Sequence, residues 1–275
     1  MKARQLLREA ERLLRAAGTE DPGWDARQLL SEVMNTAPLL LSVQNREVEP
    51  REEAAFRTLL TRRAGREPLQ YILGVQYFMG LPFRVTPDVL IPRFDTEAMC
   101  EDAVKRLPPR ARVLDLCTGS GALAVAVARL RPDTEVTASD LSEAALRVAR
   151  QNALENGARV TFTQGDLFAP LAGQRFDALL SNPPYIPDGE LPSLPEEVKR
   201  EPKMALGGGT DGLDFYRRII ARAPEQLAPG GLIWLETGDG EAPAVLELLC
   251  GAFTEFFTGQ DLSGRDRWVR ARLAP

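Results

Sequence analysis

From about residue 95 the chain alternates short strand-like runs with helix-like stretches, and this alternation narrows its fold more than any other feature. Candidate strands are 112–116, 135–139, 160–163, 176–180 and 232–236, with helical stretches at 121–130 and 143–156 between them. Strands joined through helices cannot pair as hairpins; they lie parallel, and their crossovers are right-handed. The pattern predicts an α/β fold, a Rossmann-like doubly wound sheet. The tail, 253–258 and then 268–273, is expected to add a hairpin.

The residues before this region read differently. Leu6, Ala10, Leu13 and Ala17 recur at helical spacing and Gly18 follows as a stop. Asp21-Pro22 reads as an N-cap with proline at the first helical position, and Trp24, Leu29, Leu30 and Val33 supply an apolar stripe. Another helix is expected from Pro50, through Phe56, Leu59 and Leu60, to Gly65. The expected division is a helical bundle over 1–74, a β-hairpin linker over 75–92 turning at Met79-Gly80, and the α/β domain over 93–275. The bundle is either a folding cap or a docking module for a macromolecular partner.

Composition removes several chemistries. Among 275 residues there is no histidine, which excludes Ser-His-Asp catalysis, histidine-ligated metals and imidazole proton shuttles. Cys100, Cys117 and Cys250 are too scattered for a disulfide framework or a metal site. The net charge is −5, and residues 1–74 carry 12 basic and 11 acidic side chains, so the acidity lies in the α/β part; a nucleic-acid footprint is not expected. No apolar run approaches the roughly 18 residues of a membrane span. The opening M-K-A-R-Q-L-L-R-E-A-E lacks the apolar core of a signal peptide, so no membrane association and a cytoplasmic location are expected. A monomer is expected as well.

Within the α/β part, V-L-D-L-C-T-G-S-G-A-L-A (113–124) is a strand, a glycine turn and a helix start. Gly119 and Gly121 allow a tight turn, and the first helical N–H groups favour an anionic or polar ligand group. The next strand ends in Asp140, where a doubly wound fold holds ribose hydroxyls. Two cofactors fit. The stretch 119–124 satisfies a loose dinucleotide pattern. S-adenosylmethionine also carries a ribose, and Asp115 suits its ammonium group better than a pyrophosphate. Asp166, after the third strand, is placed to accept from an adenine amino group, with Leu167 or Phe168 against the ring; an ordinary surface turn is the competing reading.

The fourth strand stops in Ser181-Asn182-Pro183-Pro184-Tyr185. In an open α/β sheet, ligands bind beyond the carboxyl ends of the strands, so this corner should face the glycine turn. Methyl transfer to a planar amide or amino nitrogen needs such a corner. The nitrogen lone pair is delocalised, and removing a proton first is impractical near neutral pH. Two acceptors, the Asn182 side-chain oxygen and the Pro183 carbonyl, can hold both N–H bonds and aim the lone pair. The prolines stiffen the corner and Tyr185 offers a face to a planar group. Catalysis is then orientation and electrostatics, with no histidine needed. The connection 186–211 has four prolines and a Gly-Gly-Gly triplet, and is read as a lid.

Six stretches lie between residues 68 and 267: P-L-Q-Y-I-L-G (68–74), L-I-P-R-F-D-T-E (90–97), D-L-C-T-G-S-G (115–121), S-N-P-P-Y-I (181–186), E-P-K-M-A-L-G-G-G-T-D-G-L (201–213) and G-R-D-R (264–267). On these the chain resembles the protein-(glutamine-N5) methyltransferases of bacterial peptide chain release factors. The resemblance implies an S-adenosylmethionine-dependent methyltransferase domain, a helical domain that recognises the release factor, and the glutamine of its Gly-Gly-Gln loop as target. It places cofactor contacts at Asp115, Cys117, Thr118, Gly119, Ser120, Gly121, Asp140, Leu141, Asp166, Leu167 and Asn182, and catalytic and substrate contacts at Asn182, Pro183, Pro184 and Tyr185. Cys117 departs from the family's usual glycine, and E-T-G-D-G-E (236–241) from its usual glutamine-bearing segment. The rival readings are a ribosomal-protein glutamine methyltransferase, a DNA adenine methyltransferase and a cofactor-binding regulator without turnover.

Overall fold

The computed structural model describes residues 1–261 and 263–275. Two compact units divide the chain: Met1–Gly74 with Pro195–Arg200, and Val75–Leu194 with Glu201–Pro275.

The smaller unit contains α1 (Ala3–Ala16), α2 (Pro22–Met34), α3 (Pro38–Gln44), α4 (Pro50–Ala64) and α5 (Leu69–Leu73). Asp21 caps α2 by accepting from the Trp24 N–H at 3.0 Å, as its position before proline predicts. Leu6, Leu14, Leu29, Leu30 and Phe56 are fully buried and form the core. The expected stripe of α1 is corrected at one step: the helix turns Leu14 inward and leaves Leu13 45% exposed, because Ala10 pairs with the residue four places on. Trp24 likewise faces outward. The short helices α3 and α5 have too few turns to show periodicity and were not anticipated.

Residues 195–200, which the sequence reading assigned to the α/β domain, belong to this smaller unit. The cause is electrostatic. The Arg66 guanidinium grips Glu197 through both carboxylate oxygens, at 2.8 and 2.5 Å, and Arg63 adds a third bond at 2.9 Å. Arg200 donates to the Gly65 carbonyl. Arg63 also bonds the buried Asp25 at 2.7 Å. Burial holds the Asp25 carboxyl above its usual value even with Arg63 attached.

The larger unit opens with a hairpin, β1 (Val75–Phe78) and β2 (Leu81–Arg84). Its turn residues Met79 and Gly80 are both left-handed, the geometry that matches the twist of paired strands. There follow α6 (Asp95–Arg106), β3 (Arg112–Leu116), α7 (Ala122–Leu130), β4 (Glu135–Asp140), α8 (Glu143–Glu155), β5 (Val160–Gln164), β6 (Phe176–Ser181), α9 (Asp214–Gln226), β7 (Leu227–Glu236), α10 (Ala242–Leu249), β8 (Phe253–Gln260) and β9 (Asp266–Leu273). The sheet order is β5-β4-β3-β6-β7-β9-β8. Strands β3 to β7 pair in parallel, and β9 runs antiparallel between β7 and β8. Alternate residues feed opposite faces: Val113, Leu180 and Trp234 join the core with α6 and α7, while Leu114, Leu179 and Ile233 join the core with α9 and α10. Strand order reverses between β3 and β6, which opens a crevice at the carboxyl edge. Among the described residues no helix is long and apolar enough to cross a membrane.

The connection after β6 is ordered by backbone bonds between its own ends. Ile186 donates to Leu206, Gly208 to Ile186 and Asp188 to Gly209, at 2.8–2.9 Å. A Cβ on Gly208 would lie 2.7 Å from the Tyr185 Cα, so only glycine closes this zip.

Replacing Arg63 with alanine should destabilise the smaller unit by about 3–5 kcal/mol at pH 7, because it strands a buried carboxylate. The loss should shrink at pH 5, where Asp25 is freer to take up a proton. Denaturant unfolding of the full chain at the two pH values measures both effects.

Candidate functional site

Four parallel strands deliver their carboxyl ends to one edge, and each end carries residues singled out by the sequence. Asp115 lies next to last in β3, and the chain leaves β3 through Cys117, Thr118, Gly119 and Ser120. Asp140 closes β4, Asp166 and Leu167 follow β5, and Asn182 follows β6. A cleft of about 950 Å³ is walled by Cys117, Gly119, Asp140, Leu141, Asp166, Leu167, Asn182 and Pro184. A narrower pocket runs on from it past Asp115, Thr118 and Ser120, sharing Leu90, Cys117, Gly119 and Asn182 with the cleft. The glycine turn and the Asn182 corner therefore line one space.

Local bonds explain how the turn is held. Asp140 accepts from the Gly119 N–H through one oxygen and from the Ser142 N–H through the other, both at 2.8 Å. Asn152, fully buried on α8, donates to the Ser120 carbonyl at 2.8 Å and bonds both backbone groups of Arg84, tying the turn to the hairpin. Gly121 is left-handed (φ 81°), and a Cβ there would meet Ala149 of α8 at 3.1 Å. No spacing in the sequence announces Asn152, because its partners lie 32 and 68 residues away.

Asp115 is the most constrained group. One carboxylate oxygen, Oδ2, accepts from the Thr118 hydroxyl at 2.6 Å and the Ala124 N–H at 3.1 Å. The other, Oδ1, is buried and has no hydrogen-bond partner among the described residues. Burial pushes this carboxyl up to about 7 against those two bonds. A buried acceptor without a partner is costly, and a cationic donor entering the narrow pocket would satisfy it.

Cys117 sits in the turn with φ 58°, left-handed without being glycine. That conformation favours glycine, the residue that the resemblance leads one to expect here. Burial, with the Asp140 and Asp115 carboxylates nearby, pushes its thiol up, so it is no reactive thiolate.

At the β6 corner, Asn182 reaches the cleft and its Nδ2 donates to the Thr96 hydroxyl at 3.5 Å. Both prolines are buried, and Pro184 lines the cleft. Tyr185 is half-buried and packs on the core of α9 and α10. Asp166 is engaged by Arg218 at 2.5 Å and Phe168 lies in the core, while Leu141, Leu167 and Phe215 are among the apolar side chains that line the cleft. The 186–211 connection contributes Pro202, Met204, Ala205 and Gly207 to the wall.

Three acids behind the site were not foreseen. Glu201 accepts from the Ile91 N–H and from Arg93, joining two of the quoted motifs. Glu236, at the end of β7, is pushed up to about 7 by burial, and its Oε2 has no partner among the described residues. Glu241 accepts from the Gly238 N–H at 2.9 Å and turns the 236–241 segment back on itself.

Comparisons with known proteins agree with this geometry. Residues 5–74 match the family model described as PrmC N-terminal domain, and residues 95–196 match the methyltransferase small domain. A release factor glutamine methyltransferase of Geobacter sulfurreducens is 48% identical over 93% of this chain and 91% of its own. The chain belongs to the release factor glutamine methyltransferase family. A second member, from Moorella thermoacetica, is 46% identical over 97% of both chains. Among solved structures, a methyltransferase from Pyrococcus furiosus shares the fold, with a TM-score of 0.56, 19% identity and coverage of 72% of this chain and 91% of that one. The 16S rRNA N2 G1207 methyltransferase of T. thermophilus shares it with a TM-score of 0.54, 21% identity and coverage of 72% and 49%.

Substituting Cys117 with glycine should leave stability unchanged or raise it by up to about 1 kcal/mol, since relief of the left-handed strain outweighs glycine's extra unfolded freedom. Thermal unfolding tests this; a loss of about 1 kcal/mol or more contradicts strain at this position.

Proposed function

We propose that this chain methylates the side-chain amide nitrogen of the glutamine in the Gly-Gly-Gln motif of peptide chain release factors, with S-adenosyl-L-methionine as donor. The observation that carries the reading is that Asn182 and the Asp115–Asp140 turn line one continuous cleft in a chain of this family.

The residues fit the cofactor. Asp115 Oδ1, buried and unpartnered among the described residues, suits an α-ammonium group. Asp140 has lone pairs beyond the two backbone bonds it accepts, and these suit ribose hydroxyls. Leu141, Leu167 and Phe215 give apolar walls for adenine. Bound there, S-adenosylmethionine supplies an electrophilic methyl group on a sulfonium sulfur.

The protein's part is orientation. Asn182 Oδ1 and the Pro183 carbonyl each accept one N–H of the substrate amide, which turns its nitrogen lone pair out of conjugation and toward the cofactor. The prolines hold this corner rigid, so little reorganisation accompanies the reaction. Once methylated, the nitrogen holds one proton more than a neutral amide. An N-protonated amide is strongly acidic and passes that proton to water, so no histidine is required. The helical unit is the proposed release-factor recognition module.

Mass spectrometry of a release factor treated with enzyme and cofactor should locate one added methyl on that glutamine. Asn182→Ala should lower turnover by about 10²–10³ while leaving cofactor affinity within a few-fold, because the lost acceptor serves the transition state. A mutant with near-normal turnover would remove Asn182 from the mechanism.

Because Asp115 titrates near 7 without cofactor, the sign of the pH dependence follows. Below that value the carboxyl is largely neutral, and cofactor binding must expel a proton. Affinity should rise roughly tenfold from pH 6 to pH 8. Titration calorimetry in buffers of different ionisation enthalpy reads the proton release. Asp115→Asn should abolish this dependence, weaken binding and raise ligand-free stability at pH 8, since the raised pKa marks a carboxylate whose charge opposes folding above about pH 4.

A further inference from the structure

Asn182 is an amide, and its two ends are nearly the same size. Nothing in its own shape decides whether oxygen or NH₂ faces the cleft. If NH₂ faced the substrate, its donors would oppose the donors of the glutamine amide. The orientation must come from what touches the other end.

That contact is Thr96, on the first turn of α6, which is 4% exposed and lines the narrow pocket. Behind it stands Glu236, 2% exposed at the end of β7, whose carboxyl is close enough to the Thr96 hydroxyl to be stabilised by it and is the acceptor we assign to that proton. β7 is the direct neighbour of β6, with Ser181 opposite Leu235, so Asn182 and Glu236 each follow that paired position. A hydroxyl carries one proton. Given to Glu236, it leaves Thr96 only lone pairs for Asn182, which must then present Nδ2, as observed at 3.5 Å. Either protonation state of Glu236 keeps an acceptor toward Thr96, because Oε2, the oxygen without a partner, is free to take any proton.

We propose that Thr96, backed by Glu236, is a positioning residue that turns the Asn182 amide so that Oδ1 faces the methyl acceptor. The inference rests on the acceptor role given to Asn182 above. Thr96 touches neither reacting atom; it acts by removing the wrong amide orientation before substrate arrives. At 3.5 Å the bond is long, as catalytic hydrogen bonds often are in ligand-free sites.

The test compares Thr96→Val, Thr96→Ser, Glu236→Met and Asn182→Ala in the full chain, measuring kcat and KM with a release factor, cofactor affinity and Tm. Valine keeps the shape and loses the hydroxyl. Thr96→Val should lower kcat at least tenfold with KM and cofactor affinity changed less than threefold, and Thr96→Ser should restore most of the rate. Glu236→Met frees the hydroxyl to donate to Asn182, and should lower kcat in the same way. If Asn182→Ala is inactive while Thr96→Val keeps kcat within twofold, the relay is wrong and the acceptor role stands. If Asn182→Ala itself keeps its rate, the acceptor role falls and the relay with it. If Thr96→Val and Thr96→Ser lose rate, Tm and cofactor affinity together, Thr96 serves the fold and not orientation.

Discussion

The parallel pairing of β3 with β6 is the constraint on which the rest depends. Leu116 lies opposite Ser181, and the Ser181 hydroxyl donates to the Leu116 carbonyl at 2.8 Å. The chain therefore leaves the two strands at neighbouring points on one edge. Had β6 run the other way, its corner would sit a strand length off, about 16 Å for five residues, beyond the reach of any side chain. Register adds the finer control. A slip of one residue would turn Leu114 and Leu179 to the wrong face and take Asp115 out of its pocket.

Around this edge the protein concentrates carboxylates that oppose their own ionisation. Asp115, Glu236 and Glu241 are each pushed up to about 7 by burial, and Asp140 is raised as well. The contrast lies in Glu197 and Asp102, whose arginine partners outweigh burial and lower their pKa. Structural acids here are paired with guanidinium groups. Asp115, Asp140 and Glu241 are held instead by hydroxyls and backbone N–H groups, and Asp115 and Glu236 each keep an oxygen without a partner among the described residues. Such a site is less stable empty than filled, the usual relation between a preorganised site and the fold that carries it.

Much of this was legible in the residues, for local reasons. The runs at 112–116, 135–139, 160–163 and 176–180 became strands within a residue or so of the expected limits, because short β-rich runs between turn residues mark them even at the sheet edge, where the strand after 160 has no fully buried position. The strand expected at 232–236 begins earlier, at Leu227, across a register irregularity that periodicity does not reveal. Asp115, Asp140 and Asn182 were found because each sits at a fixed offset from a strand end. Thr96, Asn152, Glu201 and Glu236 were not assigned roles, since each acts on a partner tens of residues away. Tyr185 packs on the core of α9 and α10, a contact that its neighbours in sequence do not reveal.

The attachment of Glu197 to Arg63 and Arg66 bears on how the two halves can be handled as parts. The polypeptide enters the helical body at its start and returns to it at Pro195, in the middle of the connection that leads away from the Asn-Pro-Pro-Tyr corner. Excision at Gly74 is therefore no clean cut between beads on a string. It would leave a six-residue graft whose carboxylate had lost both guanidinium hosts, within the stretch that walls the cleft. Isolating the catalytic half would mean replacing this graft as well.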